Sequence, residues 1–382
     1  MKVYLDNAAT TPVDKEVLKA MYPYFIEKYG NASSMHSFGE EARDAVENAR
    51  EKIAKFINAN KNEIIFTSGG TESNNLAIRG ITAANPDKKH LITSKIEHPA
   101  VLETCKDLQR KGYKVDYIGV NKEGIVNFDE LEEKITKDTL LVSIMHVNNE
   151  IGTIQDIQKI GNLCKKRGVL FHTDAVQSFG KLNIDVKKMN VDLLSASAHK
   201  INGPKGVGFL YVRSGAKVTQ TMTGGGQERK LRSGTENVPG IVGFAKATEI
   251  SLSKMKNSEK VRKLRDKLID GLMKIFGTRL NGSKEQRIYT NVNVSFDMAE
   301  GEAVLLMLDK EGISVSTGSA CSSSTLASSH VLKAIGLGDL LAHGSIRLTL
   351  GFQNTEKEID YTLNKIKSVV KKIRKISSTI KI

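Results

Sequence analysis

From residue 63 to residue 212, short apolar runs alternate with longer segments whose apolar positions recur at helical spacing. The runs Glu63–Thr67, His90–Thr93, Lys114–Ile118, Thr139–Met145, Val169–Thr173, Asp192–Ser195 and Val207–Val212 predict strands. Between them, Thr71–Ala84, Pro99–Lys111 and Ile154–Arg167 predict helices. Repeated strand–helix–strand units imply an α/β fold, a mainly parallel sheet with helices on both faces. Ligands of such sheets bind beyond the carboxyl ends of the strands, where Ser68–Thr71, Asp174 and Lys200 fall.

The pattern changes after Thr248. Residues 249–276 read as one charged helix with Leu252, Met255, Val261, Leu264, Leu268 and Leu272 as its apolar stripe. Val292–Phe296 then predicts a strand, Glu302–Glu311 a helix and Ser345–Leu350 a strand, with a Ser/Gly-rich loop before the last. That texture implies a smaller α+β domain. Its last element is a basic helix over Lys365–Lys375 whose Ile366, Val369, Val370, Ile373 and Ile376 share one face.

At 382 residues the chain exceeds the usual size of a single core, so two domains are expected. Its 40% hydrophobic and 26% charged content fits a globular protein, and no run approaches the ~20 apolar residues that span a bilayer. The net charge of +14 suggests an acidic partner, but the basic residues are spread along the chain and aromatic content is only 5%. A basic scaffold or RNA-binding role is therefore the weaker reading, and direct nucleic-acid binding is not expected as the main role. The start of the chain shows no apolar targeting segment. Three widely spaced cysteines, Cys105, Cys164 and Cys321, make neither a disulfide framework nor a Cys-x-x-Cys metal pair, which points to the cytoplasm and to no metal.

Candidate chemistry sits at the strand–helix junctions. Lys200 follows a strand and small residues (Ser195 to Ala198) and precedes a Gly/Pro turn, a setting that holds one amine at a sheet end, as a Schiff base with an aldehyde cofactor requires, or simply exposes a lysine. Ser68–Asn75 is either a phosphate cradle at a helix start or an ordinary capped glycine turn. Asp174 can pair a protonated pyridine nitrogen or cap a helix, and Gln177 lies three residues on. His98 can stack on a flat ring or move protons, and Asn149 can hydrogen-bond a ring oxygen. Arg347 is a charge inside a strand, suited to a substrate carboxylate or to an internal ion pair. Cys321 lies among small polar residues rather than apolar ones, the setting of a reactive thiol, whereas Cys105 and Cys164 fall in helices and read as inert.

Together these motifs resemble the class V pyridoxal-phosphate enzymes, and within them the cysteine desulfurases of the iron–sulfur-cluster-assembly type. The resemblance runs from Tyr4-Leu5-Asp6-Asn7-Ala8-Ala9-Thr10-Thr11-Pro12 to Gly344-Ser345-Ile346-Arg347-Leu348-Thr349-Leu350-Gly351. It implies the type I fold of pyridoxal-phosphate-dependent transferases, with residues 14–256 as the large domain. Residues 1–13 and 257–382 then form the small domain, which carries the cysteine loop (about 314–330). It implies that Lys200 bonds the cofactor and shuttles a proton, that Asp174 pairs the ring nitrogen, that Gln177 and Asn149 hold the ring oxygen, and that His98 stacks on the ring. Gly70, Thr71, Ser197 and His199 would bind phosphate, with Thr235 completing the cup from the other subunit of a homodimer. Arg347 and Asn149 would hold the substrate L-cysteine, and Cys321 would take its sulfur as a persulfide, leaving alanine. The sulfur would pass to an iron–sulfur scaffold, to tRNA thiolation or to another acceptor. Selenocysteine lyase or another class V activity is the alternative. The sequence departs from the family pattern at Phe352, where many members have arginine, at Leu326–His330, where a proline is missing, and in a short tail. These departures bear on partner docking.

Overall fold

The structure, a computed structural model, describes residues 1–317 and 328–379, with side chains through residue 376. In chain order the N-terminal elements are β1 (Val3–Tyr4), α1 (Lys15–Met21), α2 (Pro23–Ile26) and α3 (Ser37–Phe56). The alternating region follows: β2 (Ile64–Thr67), α4 (Gly70–Ala84), β3 (His90–Ser94), α5 (Pro99–Arg110), β4 (Lys114–Ile118), α6 (Phe128–Lys134), β5 (Thr139–Ser143), α7 (Ile157–Arg167), β6 (Leu170–Asp174), β7 (Leu193–Ser197) and β8 (Gly208–Val212). Then come α8 (Val238–Lys256), α9 (Ser258–Met273), β9 (Thr278–Leu280), β10 (Asn291–Phe296), α10 (Gly301–Lys310), β11 (Ile313–Ser314), α11 (His330–Ala334), α12 (Asp339–His343), β12 (Ser345–Thr349) and α13 (Glu356–Thr379).

Seven strands form one sheet in the order β2-β8-β7-β6-β5-β3-β4. β7, β6, β5, β3 and β4 run parallel, and β8 alone is reversed, antiparallel to both β7 and β2. The reversal follows from chain length. Only Ala198–Val207 joins β7 to β8, too little for the dozen or more residues of a parallel crossover. Central strands β5, β7 and β8 are buried at every position, as expected where helices cover both faces. One apolar core includes Val46, Ile53, Phe66, Phe171, Phe179, Phe209 and Phe244, and another, on the opposite face, includes Leu76, Ile78, Val101 and Leu141.

A further core gathers Val3 and Leu5 with Val261, Leu268, Val292, Phe296, Leu348, Ile366 and Val370. It packs the three-stranded antiparallel sheet β12-β10-β9 against α9, α10 and α13. β1 pairs with β11, and Asp6 bridges to Thr349, so the first residues of the chain belong with its last third.

Two expectations need correction. The predicted helix over 249–276 is two helices separated at Asn257, and Leu252, counted in the apolar stripe, is 50% exposed. The backbone N–H of Asn257 closes the last turn of α8, and α9 starts afresh at Ser258. The predicted helix over 154–167 begins only at Ile157, because the Asp156 side chain caps it by accepting from the Lys159 N–H and Ile154 pairs across an irregular bridge with Val147. In α13, Ile366, Val369, Val370 and Ile373 are buried, while Ile376 is 52% exposed.

Candidate active site

The carboxyl ends of β2, β3, β6 and β7 open onto a cavity of about 300 Å³. Gly70, Thr71, His98, Asn149, Asp174, Gln177, Ser197, His199, Lys200 and Arg347 line it, together with Ala8, Ala9, Asn74, Met145 and Val176. Residues scattered over the sequence from 8 to 347 thus meet in one place. Thr235 does not line the cavity of its own chain and is exposed. Cys321 lies outside the described residues.

Asp174 is the last residue of β6, and burial in the parallel sheet fixes its backbone. Two donors hold its carboxylate: Asn74 Nδ2 gives to Oδ2 at 2.7 Å, and the Val176 N–H gives to Oδ1 at 2.9 Å. His98 stands in the N-cap position of α5, just before Pro99, with extended backbone. Its Nδ1 accepts from the Ala100 N–H at 3.1 Å, which leaves Nε2 to carry the ring proton. Burial holds the His98 pKa below the usual histidine range; Asp174 opposes that, while Lys200 and His330 add to it. The imidazole is therefore neutral at pH 7.

Across the cavity α4 begins at Gly70, with no side chain capping it. The first amides of a helix lack intrahelical partners, and the helix dipole favours an anion there. A Cβ on Gly70 would sit 2.6 Å from Val176 Cγ2, so glycine is what lets the helix start this close to the Asp174 turn. Ser197, at the end of β7, and His199, one turn on, complete this wall. His199 Nδ1 pairs with Thr10 Oγ1 at 3.2 Å, and burial with nearby Lys200 pushes its pKa down to about 4.

Lys200 closes the single helical turn after β7. Its Nζ donates to the carbonyls of Ala8 (2.6 Å) and Ala9 (2.7 Å), so the N-terminal segment fixes where the amine points. Gln177 Nε2 donates to the same Ala8 carbonyl at 3.0 Å. On the other side, Arg347 in β12 donates to Asp6 Oδ1 (2.9 Å) and to the Asn149 carbonyl (3.0 Å). Its Nε is buried without a partner among the described residues. Arg347 combines the ion pair and the cavity position, which the sequence left as alternatives.

Described residues on either side of 318–327 are tied to this cavity's walls. Ser316 exchanges both backbone hydrogen bonds with Arg347, at 3.1 and 2.7 Å. On the far side, the Ser329 hydroxyl donates to the buried carboxylate of Glu150, next to Asn149, and the His330 Nε2 lies 3.0 Å from the carbonyl of Glu97, next to His98. Burial raises the Glu150 pKa to about 7 and the Glu97 pKa to about 8. Cys105 and Cys164 are buried far up their helices, and burial pushes both thiols up to about 12, which leaves them as thiols at neutral pH. Among the described residues, no group of His, Cys, Asp or Glu is placed to hold a metal ion, and no helix is long and apolar enough to cross a membrane.

Sequence reasoning missed Asn74, Glu97 and Glu150. Asn74 was within reach, since it lies one helical turn after Thr71 on the face that opens the cavity. Glu97 and Glu150 show nothing in sequence that separates them from surface carboxylates.

The chain matches the aminotransferase class-V family over residues 3–362. It is 54% identical over 377 residues to a cysteine desulfurase IscS of Methanosarcina thermophila, a match that spans 98% of this chain and 93% of that one. A solved structure of a NifS-like protein superimposes with a TM-score of 0.92 at 44% identity, covering 97% of this chain and all 100% of the other. A structure described as SspA in complex with cysteine superimposes with a TM-score of 0.82 at 40% identity, over 91% of this chain and 99% of that one.

Proposed function

The chain belongs to the aminotransferase class-V family, and on that premise we propose that it is a pyridoxal-phosphate-dependent cysteine desulfurase with the type I transferase fold. It takes sulfur from L-cysteine, leaving L-alanine and a persulfide on Cys321 for transfer to acceptors in iron–sulfur cluster assembly or tRNA thiolation. The observation that carries this reading is the meeting of Lys200, Asp174, His98, the uncapped start of α4 and Arg347 around one cavity.

The cavity fits the cofactor. One wall offers free helix amides, Thr71, Ser197 and His199 for a phosphate, and the carboxylate of Asp174 stands ready for a ring nitrogen. The Asn74 Oδ1, buried without a partner among the described residues, adds an unmet acceptor beside Asp174. When bound, pyridoxal 5'-phosphate supplies an aldehyde that takes up the substrate amine and a cationic ring that accepts the electron pair left by the α-proton.

The protein's own groups do the rest. Lys200 would hold the cofactor at rest, and its amine would carry the α-proton when substrate is bound. Asp174, locked by Asn74 and the Val176 N–H, keeps the ring nitrogen cationic. His98, neutral and with Nε2–H available, stacks on the ring and serves as a second proton carrier. Gln177 and Asn149 meet the ring oxygen. Arg347, already anchored to Asp6 and Asn149, takes the substrate carboxylate and so fixes which way the thiol points. The Cys321 sulfur bonds the substrate sulfur as the carbon–sulfur bond breaks, and the electron pair stays on the carbon skeleton, which gains protons and leaves as alanine.

We read the active unit as a homodimer. Leu18, Tyr22, Phe25, Ile26, Tyr29 and Met35 are exposed apolar residues concentrated in one stretch of the chain, as a self-association surface would be. Thr235, exposed and away from its own cavity, is then free to serve the partner's phosphate site. Residues 14–256 form the unit that holds the cofactor, and 1–13 with 257–382 the unit that covers it and carries the cysteine. The free, buried thiols of Cys105 and Cys164 suit a reducing cytoplasm.

The purified protein reconstituted with pyridoxal 5'-phosphate should show a visible absorbance band that borohydride abolishes and L-cysteine shifts, with release of alanine. Lys200→Ala should remove the band and turnover together. A Lys200→Ala protein with the normal band and normal alanine release would overturn the assignment.

A further inference from the structure

Behind Gln177 lies a second cavity of about 40 Å³, room for a few waters, lined in part by Lys181, Lys200, Asn149, Tyr289 and Phe352. Lys181 is only partly exposed, yet no carboxylate among the described residues pairs with it, and Lys200, a like charge, faces the same space. A buried cation beside another cation is costly unless an anion is nearby. Burial, with Lys200 adding to it, pushes the Lys181 pKa down to about 7.

What Lys181 does touch is Gln177. Its Nζ donates to Gln177 Oε1 at 3.4 Å, while Gln177 Nε2 donates to the Ala8 carbonyl at 3.0 Å. The same carbonyl accepts from Lys200. An amide flipped end for end would set its oxygen against the Ala8 carbonyl and its NH₂ against the Lys181 amine, so the contacts specify one orientation. Gln177 lines both cavities, so its amide borders the cofactor side as well as Lys181. The turn that carries both residues is fixed by Gly180, at φ +69°, where a side chain would also collide with Ile201.

We propose that Lys181 is a positioning residue: acting through Gln177, it presents an amide N–H to the ring oxygen of pyridoxal phosphate, and an anionic oxygen there in turn holds Lys181 as the cation. The inference rests on the cofactor reading above. It needs no contact between Lys181 and the cofactor, since the charge and the orientation both pass through one amide.

The test is equilibrium binding to the apoprotein, which reads the site without turnover. The probes are pyridoxine 5'-phosphate, which keeps the ring oxygen but cannot bond Lys200, and its analogue lacking the ring hydroxyl. Lys181→Met should weaken binding of the first on the order of tenfold and leave the second nearly unchanged, since what is lost is one charge-supported hydrogen bond. Lys181→Arg should restore most of the loss, because it returns both the donor and the charge. Equal weakening of both probes would reduce Lys181 to a packing role, and no weakening of either would remove it from the site. If the unaltered apoprotein binds neither probe, the cofactor reading fails instead.

Discussion

The floor of the cavity and its far wall are built differently. The floor is a set of strand ends in a buried, mostly parallel sheet, and its key group is held twice over: Asp174 by Asn74 and by the Val176 N–H. The far wall comes from the antiparallel strand β12 and the residues flanking 318–327. There Arg347 is anchored by Asp6 and Asn149 yet keeps a buried N–H without a partner among the described residues. A ring that must be held still through every turnover suits the first. A substrate that enters, is oriented and leaves suits the second, where one guanidinium N–H has no protein partner among the described residues. On the proposed function, the electron-sink chemistry would fall to the floor and the orientation of substrate to the wall.

The largest effect expected from breaking the floor is that of Asp174→Asn. An amide cannot stabilise a cationic ring nitrogen as a carboxylate does, so turnover should fall by orders of magnitude, on the order of several kcal/mol of barrier, with the fold intact. Steady-state alanine release with circular dichroism checks this, and near-normal turnover would mean that Asp174 only organises the Asn74 helix.

Breaking the wall should read differently. Arg347→Lys keeps the charge but cannot hold Asp6, Asn149 and a carboxylate at once. The expected result is a rise of roughly tenfold or more in KM with a smaller fall in kcat, since the lost contact is made to bound substrate as well as in the transition state. The visible band of the resting enzyme should stay as it is. A changed band would show that Arg347 serves the floor, and the comparison would lose its meaning.

The smallest effect concerns stability. Glu97, next to His98 in the chain, has Oε1 taking bonds from Ser94 Oγ (2.5 Å) and the Met145 N–H (3.0 Å) and Oε2 buried without a partner among the described residues. Burial raises its pKa from 4.5 to about 8. The folded state therefore binds this proton more tightly than the unfolded chain does. Its contribution to stability is full below about pH 4.5 and is lost as pH rises through about 8. Thermal unfolding of the unaltered protein should weaken between pH 6 and pH 9 more than that of Glu97→Gln, which carries no titrating group there. Parallel curves for the two proteins would place the Glu97 proton elsewhere.

Much of the floor was legible in the sequence because each of its residues ends a strand or opens a helix. The run before Asp174 and the turn after Ser68 mark those junctions locally. The reversal of β8 went unread, because apolar pattern alone carries no direction and only the short connection after Lys200 bears on it. The wall was harder. Arg347 was visible as a charge in a strand, but its partner Asp6 lies 341 residues away and has no local signature. The break at Asn257 was lost because the segments on either side of it are both charged and helical, so a single window averages them into one stripe. The carbonyls of Ala8 and Ala9, which aim Lys200, belong to backbone that no side-chain pattern reports.

The account turns on sulfur leaving L-cysteine for one thiol. A single turnover of the reconstituted protein with sulfur-labelled L-cysteine, without reductant, followed by peptide mass spectrometry, tests this directly. One extra sulfur should appear on the peptide holding Cys321, with one alanine released per site. Cys321→Ser should show neither, though L-cysteine should still shift its visible band. Label on Cys105 or Cys164, whose thiols are buried and pushed up to about 12, or wild-type alanine release by the serine variant, would contradict it.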